Sequence, residues 1–168
     1  MEVDELRKVQ APLKERYLSE SIAARVTLSA TGTVGEGVSC SVQTGRAMAE
    51  AGLHPATGGD GSLLCSGDML LEALVACAGV TLRAVAASLG IAVRSGRVRA
   101  EGDLDFRGTL AVDRDTPVGF SEIRLSFEVE ADADADQLAT LRKLTERYCV
   151  VYQTLASGSV LSSMIESA

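Results

Sequence analysis

The sequence predicts an α+β domain, and three observations carry that prediction. A long apolar run, Met69–Leu89 (MLLEALVACAGVTLRAVAASL), has the length of a central helix. The segment SEIRLSFEVEA (121–131) places Ile123, Leu125, Phe127 and Val129 on one face and charges on the other, the period of a half-buried strand. The helical and strand segments come in blocks, which segregates helices from antiparallel strands.

Residues 2–20 read as a polar amphipathic helix, broken or kinked at Pro12. Ala24–Ala30 and Val38–Gln43 read as two strands joined by a hairpin turn in TGTVGEG (31–37), where glycine supplies positive φ. A Gly-rich loop punctuated by Pro55 follows (51–68). Ser66 or Asp68 is placed to cap the central helix, and Gly90 to end it. Ile91–Phe106 is a strand with a bend or bulge at Gly102. After the 121–131 strand, Asp134 or Asp136 caps a helix to about Tyr148. A short helix from Val150 to Leu155 and a last strand in SVLSSMIE complete the series.

Composition sets the outer bounds. At 168 residues, 46% hydrophobic and 23% charged, the chain is globular and fits one ordinary domain. A net charge of −7 argues against nucleic acid as a partner, because phosphate binding needs clustered Lys and Arg. The N-terminus lacks the basic-then-apolar pattern of a signal peptide. Four cysteines are too few for a disulfide scaffold, so a cytoplasmic location is expected. The 69–89 run is long enough to span a bilayer, but Glu72 and Arg83 interrupt it, which favours a buried helix over a membrane span.

The chemistry rests on two cysteines in different settings. Cys77 lies in mid-helix, with Ala73, Leu74, Val80 and Thr81 on its face. Glu72 and Arg83 point away, and the helix start is more than two turns distant, so its thiolate needs support from elsewhere in the fold. Arg46 and Arg147 are the candidates. Cys149 closes LTERYCVVYQTL, where a charged helix ends. Each thiol has a plain alternative, since free cysteine often packs as a small hydrophobe. Cys65 and Cys77 on one helix would lie about 18 Å apart, too far for a disulfide. Cys40 alternates with apolar residues and reads as packing. His54 stands alone, and without a CxxC no zinc site emerges. GGDG (58–61) lacks the Gly-Lys-Ser/Thr of a phosphate loop, and no GxSxG is present.

SGDMLLEALVACAGVTL (66–82) resembles the central-helix motif of the OsmC/Ohr family of thiol peroxidases, and YCVVYQTL (148–155) resembles its second-cysteine motif. The GGDG loop, the N-terminal hairpin and FSEIRLSFEVE (120–130) fall in the matching order, so the resemblance covers roughly residues 22–165. It implies antiparallel sheets around a long central helix and an intertwined homodimer with active sites at the interface. Residues 22–168 would form this domain, and 1–21 an N-terminal helical extension. It also implies that Cys77 is the peroxidatic and Cys149 the resolving thiol. An organic hydroperoxide, with hydrogen peroxide as a second candidate, oxidises Cys77 to a sulfenic acid, Cys149 condenses with it, and an external dithiol reduces the disulfide. This chemistry needs no metal or bound cofactor.

The chain departs from the family pattern at the activating groups. The organic-hydroperoxide branch has an Arg in the first hairpin turn, and TGTVGEG has none. The branch's Glu falls at Gly67, with Asp68 matching the acidic position of other branches. Val150 stands where Pro usually follows the second cysteine. Arg46 is the candidate substitute for the missing Arg. These departures place the chain in the broader OsmC-like group. They keep open a different class of function, a non-catalytic protein binding a hydrophobic small molecule or acting as a slow thiol sensor.

Overall fold

A computed structural model describes residues 8, 31–34, 39–44, 47–111 and 113–167, with backbone only at 31–34, 39–44 and 47–48. The chain divides into two compact units, residues 1–65 and 66–168. Of the expected N-terminal helix, Lys8 is described, and it is helical and exposed. The expected strand Ala24–Ala30 lies outside the described residues.

The first unit holds a four-stranded sheet in the order β1 (Thr31–Val34), β2 (Ser39–Thr44), β3 (Ala47–Gly52) and β4 (Leu64–Cys65). β1 and β2 are antiparallel, with Val34 opposite Cys40 and Thr31 opposite Gln43. β3 runs antiparallel to β2, with Thr44 opposite Ala47, and β4 joins β3 in parallel, with Gly52 opposite Cys65. Two expectations change here. TGTV was read as part of a turn and is a strand, because Thr31, Thr33 and Val34 are β-branched and tolerate extension around the single glycine. AMAEAG carries no β signal of its own, since alanine is depleted in strands. Its pairing with β2 makes it one.

The second unit begins with α1 (Ser66–Leu89). The helix starts at Ser66, so Ser66 and Asp68 lie within its first turn rather than before it. By length and apolarity α1 would suffice to cross a membrane. Here it buries Leu74, Ala78, Leu82, Val85 and Ala86 along one stripe. Gly90 stops it as expected. At φ +71 its N–H reaches the Ala87 carbonyl, while the Ile91 N–H reaches that of Ala86 at 2.9 Å. This is a Schellman closure, and Ile91 folds back into the same core as Ala86.

β5 (Val93–Leu104) and β6 (Phe120–Ala131) form an antiparallel pair with Val98 opposite Phe127 and Ala100 opposite Leu125. The register shifts between Asp103 and Leu104, next to Gly102. A Cβ on Gly102 would come within 2.5 Å of the Phe120 ring, so the ring covers a position that only glycine leaves open. The other face carries ion pairs such as Arg94–Glu130 and Arg124–Asp103. A single turn, α2 (Phe106–Thr109), is capped by Asp105, which accepts from the Arg107 amide.

α3 (Ala135–Tyr148) opens on a capping box. The Gln137 amide donates to Asp134 at 2.8 Å, and the Asp134 amide donates to the Gln137 side chain at 2.9 Å. Asp134 is therefore the cap, and Asp136 sits in the first turn. α4 (Val150–Ser157) follows after one residue. The expected last strand does not form. Residues 159–167 carry no regular structure, and Val160, Leu161, Met164 and Ile165 are exposed. A strand needs an edge to pair with, and this segment pairs with none of the described strands.

Two apolar clusters line the sheet face of α1. Leu82, Val85, Ala86, Ile91 and Leu141 form one. Leu74, Ala78 and Cys149 form the other, with Cys77, Val98, Ile123, Leu125 and Tyr152 packed around them. Burying each leucine contributes roughly 1.5–3 kcal/mol. The second cluster therefore both holds the fold and fixes the two thiols.

Candidate functional site

α1 presents Cys77 at its middle, half-buried beside Leu74 and Ala78. The α3–α4 junction presents Cys149, which is fully buried. Its backbone is extended at φ −74 and ψ 110, so it serves both helices at once. Its N–H donates to the Thr145 carbonyl at 2.9 Å and finishes α3, while its carbonyl accepts from the Gln153 amide at 2.9 Å and starts α4. The Gln153 side chain also donates to the Glu146 carbonyl at 2.9 Å, which ties the two helices together.

The first amides of a helix have no acceptor within it. In α4 these amides bear on the two thiols, those of Val150 and Val151 lowering Cys77 and those of Tyr152 and Val151 lowering Cys149. Burial alone pushes the Cys77 thiol up. The Val151 amide, the Cys149 thiol, the Val150 amide and the Thr81 hydroxyl together outweigh it, and the Cys77 thiol lies below the ordinary thiol range. At Cys149 burial dominates, and the neighbouring Cys77 sulfur raises the thiol further. The Tyr152 and Val151 amides offset this only in part. The pair is thus polarised: of the two neighbouring thiols, Cys77 ionises the more readily.

This arrangement has the two roles that dithiol chemistry requires, a nucleophilic sulfur and a protonated partner beside it. The groups acting most strongly on Cys77 are uncharged. Of the candidate activators, Asp68 is exposed in the first turn of α1, about 13 Å along the axis from Cys77. Arg147 is exposed and lies over the Tyr148 ring, 5.6 Å from its centroid. Arg46 lies outside the described residues. Cys65 is a free, half-buried thiol on β4. Among the described residues no group of three or more His, Cys, Asp and Glu is placed to hold a metal.

The sequence reading missed the amides and left Thr81 as a mere neighbour. One signal was available: Val150, unlike proline, has an N–H to give. A cleft of about 280 Å³ opens against the thiol cluster, lined by Leu74, Phe120, Ile123, Leu125, Tyr152 and Leu155 together with Ser121 and Glu122. Four of these residues also pack around the two cysteines. A second hollow of about 380 Å³ lies at the α3–α4 junction and includes Cys149, Val150 and Gln153 in its lining.

The family model described as OsmC-like protein matches residues 59–163, more than half of the chain. None of the curated proteins compared with the chain matches it. Among solved structures, the fold is similar to that of an OsmC-like protein from Mycoplasma pneumoniae, with a TM-score of 0.67 and 16% identity over 79% of this chain and 89% of that one. It is also similar to an organic hydroperoxide resistance protein OsmC from Legionella pneumophila (TM-score 0.56, 16% identity, 79% and 90% covered). The organic hydroperoxide resistance protein OhrB of Bacillus subtilis gives a TM-score of 0.54 at 17% identity, covering 79% and 93%.

Proposed function

This chain belongs to the OsmC-like protein family, and on that premise we propose that it is a cysteine-based peroxidase that reduces organic hydroperoxides. The observation that carries the reading is the pair itself: Cys77 and Cys149 pack in one cluster, with the Cys77 thiol lowered and the Cys149 thiol raised.

In the first step the Cys77 thiolate attacks the distal peroxide oxygen. The O–O bond breaks, sulfur is oxidised to sulfenic acid, and the alkoxide leaves and takes up a proton as the alcohol. The Cys149 thiol then condenses with the sulfenic acid, releasing water and forming the Cys77–Cys149 disulfide. An external dithiol reduces that bond by exchange and becomes a disulfide itself. The apolar side of the cleft beside the cluster, Leu74, Ile123, Leu125 and Leu155, suits the carbon chain of an organic hydroperoxide.

The assembly belongs to the proposal as well. α1 leaves Val80 73% exposed and Leu70 39% exposed. A homodimer that packs two such helices would cover them. The domain division at residues 21 and 22, the cytoplasmic location and the dithiol partner complete the reading.

One observation favours a second reading. The strongest influences on Cys77 are uncharged, as expected of a binding protein that holds a hydrophobic small molecule in the cleft. Steady-state turnover of cumene hydroperoxide with a small dithiol separates the two. Turnover that depends on Cys77 supports the peroxidase. Stoichiometric binding of an apolar ligand with no peroxide consumption supports the binding protein.

A further inference from the structure

We propose that Tyr152 is a catalytic residue of the peroxide reduction: where the cleft meets the two thiols, its phenol donates a hydrogen bond to the oxygen that leaves as alkoxide. The proposal rests on the peroxidase reading and adds to it a donor for the leaving oxygen.

Leu74, Ile123, Leu125 and Tyr152 belong both to the lining of the cleft and to the packing around Cys77 and Cys149. Three of them end in methyl groups. Tyr152 alone of the four carries a polar side-chain atom. It lies three residues after Cys149 on α4, one turn on and on the same side. Its hydroxyl has no hydrogen-bond partner among the described residues. Among those residues no buried side-chain oxygen lacks a partner, so the hydroxyl is open to solvent. A packed ring with a free polar tip suits a ligand that is apolar at one end and polar at the other.

The other polar side chains of the cleft cannot supply this donor. Ser121 already donates its hydroxyl proton to the Asp103 carbonyl at 3.1 Å. Glu122 pairs with Arg124 at 3.1 Å, and a carboxylate only accepts. A hydroperoxide whose carbon chain lies on Leu74, Ile123, Leu125 and Leu155 carries its O–O group toward the thiols. When the Cys77 thiolate attacks the distal oxygen, the S–O bond forms and the O–O bond breaks. Negative charge gathers on the proximal oxygen, and the phenol hydrogen bond stabilises it in a half-buried place. The phenol keeps its own proton, and water supplies the one that completes the alcohol.

The test compares Tyr152→Phe, which removes only the hydroxyl, with Tyr148→Phe, whose ring lies under Arg147 and outside the cleft. Each full-length reduced protein receives cumene hydroperoxide, and oxidation of Cys77 is followed by quenching and mass spectrometry of its peptide. Alkylation of Cys77 by iodoacetamide, a reaction with no leaving oxygen, is followed in parallel. Tyr152→Phe should oxidise about tenfold more slowly, the scale of one hydrogen bond to a charged oxygen, and alkylate at the unsubstituted rate. Tyr148→Phe should match the unsubstituted protein in both reactions. If Tyr152→Phe does not fold, Tyr152→Leu, which fills the same wall without a hydroxyl, takes its place with the same expected split. Equal oxidation with and without the hydroxyl overturns the Tyr152 role and leaves the peroxidase reading standing. A matching loss of oxidation and alkylation also overturns it, because the hydroxyl then acts on the thiol and not on the peroxide. No oxidation of Cys77 in the unsubstituted protein removes the peroxidase reading and the proposal with it.

Discussion

Cys77 packs against the buried Cys149 in one apolar cluster, and the two thiols are displaced in opposite directions, Cys77 down and Cys149 up. Burial dominates at Cys149, while at Cys77 the α4 amides and the polar neighbours outweigh it. Cys149 ends one helix and starts the next, so the free amides of α4 fall where the mid-helix thiol of α1 can use them.

Val150→Pro isolates this backbone contribution. Proline removes one N–H and fits the first position of a helix. The preceding Cys149 already has the extended conformation that proline demands. The variant should fold with an unchanged melting temperature, and Cys77 should ionise at higher pH and react with peroxide about tenfold more slowly at neutral pH. Iodoacetamide alkylation against pH checks it; an unmoved midpoint would show that the amide is idle.

The pH dependence follows from the same displacements. Cys77 is an acid whose folded value lies below its unfolded one. Its contribution to stability is therefore present above the unfolded value and lost as pH falls through the folded value. Cys149 has the reverse sign: the folded state holds its proton longer, so its contribution is lost as pH rises through the raised folded value. Alkylation at neutral pH should modify Cys77 well before Cys149. Equal rates at the two sites would contradict the polarised pair.

How far the sequence could be read differs between elements, for physical reasons. Where periodicity and capping chemistry coincide, as at Asp134 with Gln137 or Gly90 after Leu89, the element is legible to within a residue or two. β3 was not legible, because Ala47–Gly52 owes its extension to pairing with β2. The tail misled in the other direction: Val160 to Ile165 has strand-like residues and no edge to join. At the site, the two cysteines stood out through their motifs. The groups that lower Cys77 did not, since backbone amides leave almost no mark in a sequence. Of the charged candidates, Asp68 sits in the first turn of α1 and Arg147 lies over the Tyr148 ring.

Leu74 tests the packing beneath the site. It is 1% exposed and belongs to the same cluster as Cys149. Leu74→Ala should cost about 2–5 kcal/mol of stability, as buried leucine truncations do. Looser packing should also lower the rate of disulfide closure. Denaturant unfolding and the yield of Cys77–Cys149 peptide check both parts.

Val80 tests the assembly. Its exposure on α1 leaves an apolar face that a second copy would cover. Val80→Glu places a charge at that face and should convert a dimer to a monomer in light scattering after size exclusion. A dimer that survives the substitution would mean that this face is not the interface.

Cys77→Ser and Cys149→Ser separate the two thiol roles. The first should abolish peroxide turnover. The second should permit one oxidation of Cys77 and no recycling by dithiol. Full turnover by Cys77→Ser would reverse the assignment.

The most direct measurement is a thiol count on the reduced protein before and after one equivalent of an organic hydroperoxide, followed by peptide mapping. The polarised pair predicts rapid loss of two thiols and a disulfide-linked peptide containing Cys77 and Cys149, with Cys40 and Cys65 still reduced. Four unchanged thiols would contradict the peroxidase and leave Cys77 as part of an apolar binding site.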